Sequence, residues 1–237
     1  MKNNAILLLL LLLASNQIFA QDKKFKLGLR FAPNIAMNRV VDLVETDEIS
    51  FSNNGASVRY SAGLTGDFYF GKNYSFYTGL WYTVMRTGMK FDSTGTKPEM
   101  GFNGESVFNL QYLQVPVALK LFTNEIGTDL KMYFVVGGTL GLKIDEKEKS
   151  WEPSAGSLGQ KPSKGSGHSF GDVGLLLGSG VEYQMGETTT LFFGLSYNRG
   201  LLDIASKKGP MWFSGKNTSD IYTISTSLLS LEAGIKF

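Results

Sequence analysis

The chain of 237 residues contains no cysteine, one histidine and only 6 prolines. Without cysteine there is no disulfide framework, no thiolate metal site and no cysteine to lipidate after export. A single histidine cannot supply the paired ligand spacing of a zinc centre. The net charge of +2 is too small to point to nucleic acid. Long apolar runs are missing beyond the N-terminus, so no later segment is long enough to cross a bilayer as a helix. What the chain does have is 28 glycines and 13% aromatic residues, a composition that favours many strands over helices.

The one apolar run, Ala5 to Ala14, follows Lys2 and precedes Ile18-Phe19-Ala20. That order reads as an export leader over residues 1–20, cleaved before Gln21, with residues 21–237 forming one domain. The run is shorter than the ~20 residues of a helical membrane anchor.

Alternation with a period of two recurs in eight segments: 24–31, 58–70, 74–86, 109–121, 130–143, 171–183, 189–198, and a closing one from about 221 to Phe237. The last shows the pattern well. Leu229, Leu231, Ala233, Ile235 and Phe237 point one way, and Ser230, Glu232, Gly234 and Lys236 the other. Short links (71–73, 122–129, 184–188) alternate with long ones (32–57, 87–107, 144–170, 199–220). This is the layout expected of an all-β, eight-stranded antiparallel up-and-down transmembrane barrel, with short periplasmic turns and long extracellular loops.

Alternation alone does not say which face is inside. The polar face carries many glycines together with Arg30, Arg59, Asp67, Lys120, Lys131, Asp172, Glu182 and Glu232. Glycine covers a solvated surface poorly but lets side chains interdigitate in a narrow barrel, and charges of both signs can pair there. These eight residues are therefore expected to form a structural charge network in the lumen, with the apolar face toward lipid. Phe70, Phe76, Phe122, Tyr183 and Phe237 at the short-turn ends, and Tyr60, Tyr82 and Tyr197 toward the long links, are the expected aromatic girdles.

Several stretches resemble the PorT-like outer-membrane β-barrel family of Bacteroidetes. They are Gly28-Leu-Arg-Phe-Ala-Pro-Asn34, Thr78-Gly-Leu-Trp-Tyr82, Tyr112-Leu-Gln-Val-Pro-Val-Ala-Leu-Lys120, Gly171 to Glu182, and Tyr197-Asn-Arg-Gly-Leu-Leu-Asp-Ile204. The family tends to carry an acidic residue where Gln114 stands, so a Glu–Lys lumen pair with Lys120 is not transferred from it. The resemblance implies an outer-membrane protein in contact with lipid and lipopolysaccharide. It further implies that Phe237 ends a signal read by barrel assembly machinery, with envelope or secretion proteins as partners; the type IX secretion role of the member that names the family is not transferred.

Little catalytic chemistry is visible. His168 lies in the Gly/Ser-rich stretch Ser163 to Ser169, which reads as a mobile loop. The mixed-charge run Asp145 to Glu152 reads as a solvated loop stem or a contact surface. Asp42, Glu45, Asp47 and Glu48, and Trp212 with Phe213, are further loop candidates. The expectation is a monomer that is not an enzyme and holds no cofactor or metal. An outer-membrane enzyme using His168, a soluble lipocalin-like binder of an apolar ligand, and a pore stand as alternatives.

Overall fold

A computed structural model describes residues 25–42, 49–93, 104–153, 168–205 and 222–237. The expected leader lies outside them, as do Glu45, Asp47, Glu48, Trp212 and Phe213. The strands in chain order are β1 (Phe25–Asp42), β2 (Ile49–Asn53), β3 (Ala56–Gly71), β4 (Tyr74–Ser93), β5 (Gly104–Gly127), β6 (Leu130–Pro153), β7 (Gly171–Gln184), β8 (Thr190–Gly200) and β9 (Tyr222–Lys236). All pairings are antiparallel, and each long strand pairs with its sequence neighbours. Pairing of β1 with β9 closes eight of them into a barrel. The short β2 lies outside that count, paired with the end of β4.

β5 and β6 run for 24 residues each, longer than the alternation suggests. Their ladder continues to Gly104↔Pro153 and takes in the charged run that reads as a loop stem. Likewise β1 continues to Asp42 rather than ending near Phe31. The physical reason is that alternation records a face in oil and a face in the lumen. Where a strand leaves the bilayer, both faces can meet water and the period vanishes, while the backbone ladder carries on.

The turns follow local chemistry. Asp129, at φ 58°, closes the β5–β6 turn in the left-handed region that Asp tolerates. Gly55, at φ 67°, sits where β2 gives way to β3. Two prolines interrupt the ladder on one side only. The β1–β9 pairing skips from Phe31↔Ala233 to Asn34↔Ser230 at Pro33, and the β4–β5 pairing from Thr78↔Val117 to Trp81↔Gln114 at Pro116. Each proline stays in register with its other neighbour, Tyr60 and Thr139 respectively.

Leu29, Leu64, Leu80, Leu140, Leu175 and Leu195 all lie exposed on the outer wall. On β9 the contrast is sharp: Leu231 is 62% exposed and the adjacent Glu232 6%. A water-soluble barrel has the opposite arrangement. A continuous apolar exterior around a polar interior needs a bilayer to cover it. One girdle assignment is corrected. Phe122 points inward, buried and stacked on Tyr69 with centroids 5.6 Å apart, because it keeps the parity of Lys120.

Candidate functional site

The lumen is filled in layers by residues that register places side by side. Large side chains lie against glycines of the neighbouring strand. Gly63 stands between Arg30 and Trp81, and its bare backbone lets the guanidinium settle 4.0 Å from the indole centroid. Gly180 and Gly194 lie in register with Tyr133 and receive its ring. Gly141, two positions along β6 from the register partner of Tyr112, leaves room for that ring.

At the short-turn end four charges meet. Lys120 Nζ is 2.5 Å from Glu182 and 4.0 Å from Asp67; Lys236 Nζ is 2.5 Å from Glu182 and in direct contact with Asp67. All four are buried. Lys120 also lies 3.8 Å from the Tyr133 ring centroid, with Tyr77, Phe122 and Phe192 around it. In a second group, Arg30 donates to Glu232 at 2.6 Å and to Ser61 at 2.8 Å, and Glu232 also accepts from Ser196. Buried carboxylates thus meet buried cations across the lumen, the condition under which ionised groups tolerate low dielectric.

Of the eight sequence-derived charges, Arg30, Asp67, Lys120, Asp172, Glu182 and Glu232 are buried in the interior. Asp172 joins neither group. Its Oδ2 accepts from Thr226 at 3.2 Å. Arg59 stays apart, donating to Asn109 at 3.0 Å and to the Val58 carbonyl. Lys131 pairs with Glu125 at 3.7 Å, the lysine half-buried and the glutamate exposed. Lys236 was missing from the expected set, although it shares the parity of Glu232. Gln114 accepts from Thr83 at 2.8 Å, while Lys120 takes its carboxylates from β3 and β7.

The mouth is closed by an apolar cluster of Ala36, Met85, Leu110, Tyr112, Ile224 and Leu228 around Ile204. Ile204 comes from the segment after β8, which turns into the barrel. The Ile204 amide donates to the Ile224 carbonyl (2.8 Å), and its carbonyl accepts from Ser169 (2.7 Å). Asp203 Oδ1 accepts from the amides of Ala205 and Ile224.

Of the stretch expected to be a mobile loop, residues 163–167 lie outside the described residues, but His168 itself is firmly held. It is 4% exposed, bridges to Ala205, and lies edge-on to Phe108. Its Nε2 is 2.9 Å from Thr87 Oγ1 and its Nδ1 2.9 Å from Glu146 Oε1. Lys143 donates to Glu146 and to the His168 carbonyl. Burial pushes the Glu146 carboxyl up, but hydrogen bonds and charge from His168, and then Lys143, hold it below the usual carboxylate value. No sequence signal marks this partnership, because Glu146 sits after a bulge that reverses the inward parity of β6. A hydroxyl, an imidazole and a carboxylate in line form the relay that activates a nucleophile. Here Thr87 is 2% exposed, and the three residues tie β4 and β6 to the segment carrying His168, as a latch would.

Among the described residues, no group of three or more His, Asp or Glu is placed to hold a metal ion. A cavity of about 10 Å³ beside Tyr77, Tyr133 and Glu232 has room for one water.

The family described as "Outer membrane protein beta-barrel domain" matches residues 19–206. The chain belongs to that family. No curated protein matches it. Among solved structures, this outer membrane β-barrel protein is similar to the outer membrane protein OprG from Pseudomonas aeruginosa (15% identity, TM-score 0.49, covering 90% of this chain and 95% of that one). It is also similar to Neisserial surface protein A (14%, 0.44, 91% and 98%) and to the outer membrane protease OmpT from Escherichia coli (6%, 0.40, 92% and 97%). At these identities the likeness is one of fold alone.

Proposed function

We propose that this outer membrane β-barrel protein is a monomeric, non-enzymatic and non-conducting envelope protein. Its leader, residues 1–20, exports it, and its closing strand, ending at Phe237, is read by the barrel assembly machinery. Its long-connection end contacts protein, glycan or lipopolysaccharide. The resemblance to PorT-like barrels supports a role beside secretion or envelope proteins.

The observation that carries this reading is the filled lumen: among the described residues, four buried charges, an aromatic layer, and an apolar plug around Ile204 occupy the barrel interior. Eight-stranded barrels have interiors that side chains can fill. Purified mature protein in planar bilayers is expected to give flat current traces, and stepwise conductance would overturn the non-conducting claim. Unchanged lipid and peptide hydrolysis on exchanging His168 for alanine is the result expected of a non-enzyme; loss of a measurable activity would favour catalysis.

A further inference from the structure

Six other buried charges of the lumen find ionic partners: Arg30 with Glu232, and Lys120 and Lys236 with Asp67 and Glu182. Asp172 does not. It is 5% exposed, its Oδ1 has no hydrogen-bond partner, and no cation among the described residues lies within ion-pair distance. Close by, the Tyr112 side chain is fully buried with its hydroxyl also unpartnered. Register and packing place the two together. Gly141 pairs with Asp172, and the bare Gly141 is what the Tyr112 ring and the Asp172 Cβ both approach. Unpaired buried oxygens are rare and costly, and two in one place point to a missing partner.

The surroundings say what kind. Tyr112 belongs to the apolar cluster at the mouth, whose centre is Ile204. Ile204 is carried by a segment outside the strands, held by backbone hydrogen bonds to Ser169 and Ile224, by the Asp203 carboxylate and by the bridge from Ala205 to His168. Withdrawing it leaves an apolar chamber with one carboxylate and one phenol at its wall.

We propose that this chamber binds a small apolar amine, going beyond the envelope role above. The ammonium meets Asp172 Oδ1 and the Tyr112 hydroxyl, and the hydrocarbon part takes the place of Ile204. An ammonium offers three donors and the charge Asp172 lacks, and the Tyr112 ring face also attracts cations. A neutral alcohol of the same shape leaves the carboxylate uncompensated, and a carboxylate ligand is repelled. Sites built around a polar group reject analogues that cannot satisfy it far more strongly than sites built on shape alone.

The test uses the mature protein folded in non-ionic detergent micelles, with the Met85 methyl signal followed by NMR during titration with benzylamine, benzyl alcohol or benzoate. A saturable shift with benzylamine, at least tenfold tighter than with benzyl alcohol and absent with benzoate, is expected. Ile204→Ala, which empties the plug, is expected to tighten benzylamine severalfold. Asp172→Asn is expected to remove the preference for the amine while leaving the alcohol unchanged, and Tyr112→Phe to weaken the amine without perturbing the fold. Equal binding of amine and alcohol would show apolar partitioning only and overturn the proposal. So would full benzylamine affinity in Asp172→Asn, or the lack of a saturable shift in both wild type and Ile204→Ala.

Discussion

Lys236 and Asp67 stand 169 positions apart in the chain and are joined as a buried ion pair across the barrel seam. Lys236 is on β9 and Asp67 on β3, so the contact spans β1, the strand that closes the cylinder. Glu182 of β7 and Lys120 of β5 complete the group, so one cluster ties four strands. Because each charge is buried, what matters is what remains when one is removed.

Asp67→Asn leaves Lys236 and Lys120 sharing a single carboxylate in a dry interior. The expected loss is about 3–5 kcal/mol, read from urea unfolding in lipid vesicles. Replacing Arg30 and Glu232 together by Met and Leu is expected to cost far less than Glu232→Gln alone, since a matched apolar pair strands no charge. Equal costs would show that these groups are solvated in the folded barrel.

Gly63→Ala tests the interleaving of large and small residues. A Cβ there would lie 2.1 Å from the Leu80 carbonyl oxygen, so the backbone of β4 must move and the Arg30–Trp81 stack must part. A loss of about 1–3 kcal/mol, with altered tryptophan fluorescence, is expected. Gly186→Ala, where nothing lies within 4 Å, serves as the control and should be silent.

These contacts show what could be read from the sequence and why. Parity marked Arg30, Asp67, Lys120, Glu182 and Glu232 as one face, because a strand in a bilayer wall must alternate. Parity is blind to distance around the barrel, so Arg59 and Lys131, on the expected face, join neither group. It also fails after a bulge, which hid the pairing of Glu146 with His168. The Gly/Ser-rich composition before His168 suggested mobility, whereas partners on β4 and β6 bury it.

The latch has a pH dependence of definite sign. The Glu146 carboxyl is depressed in the folded protein, so its contribution is fully present above the unfolded value near 4.5 and is lost as pH falls through the lower folded value. Hydrogen-exchange protection at the amides of Ser169 and Ile204 is expected to fall in that acid range. Glu146→Gln should remove the acid dependence, and His168→Ala should lower protection at every pH. Unaltered protection in both variants would show that His168 and Glu146 do not hold the mouth.

Leu231→Arg places a charge on the outer wall and is expected to destabilise the barrel by about 2–4 kcal/mol in lipid vesicles if it lies near the midplane. Leu231→Phe should be tolerated. An arginine accepted without cost would mean that this wall faces water.

The orientation of the two faces can be measured directly, because a chain without cysteine accepts a single labelled one anywhere. With a fluorescent label at position 231 or at position 230, in vesicles whose acyl chains carry bromine, the label at 231 is expected to be strongly quenched and the label at 230 spared. Quenching at 230 with sparing at 231 would contradict an apolar wall in lipid around a charged, filled lumen.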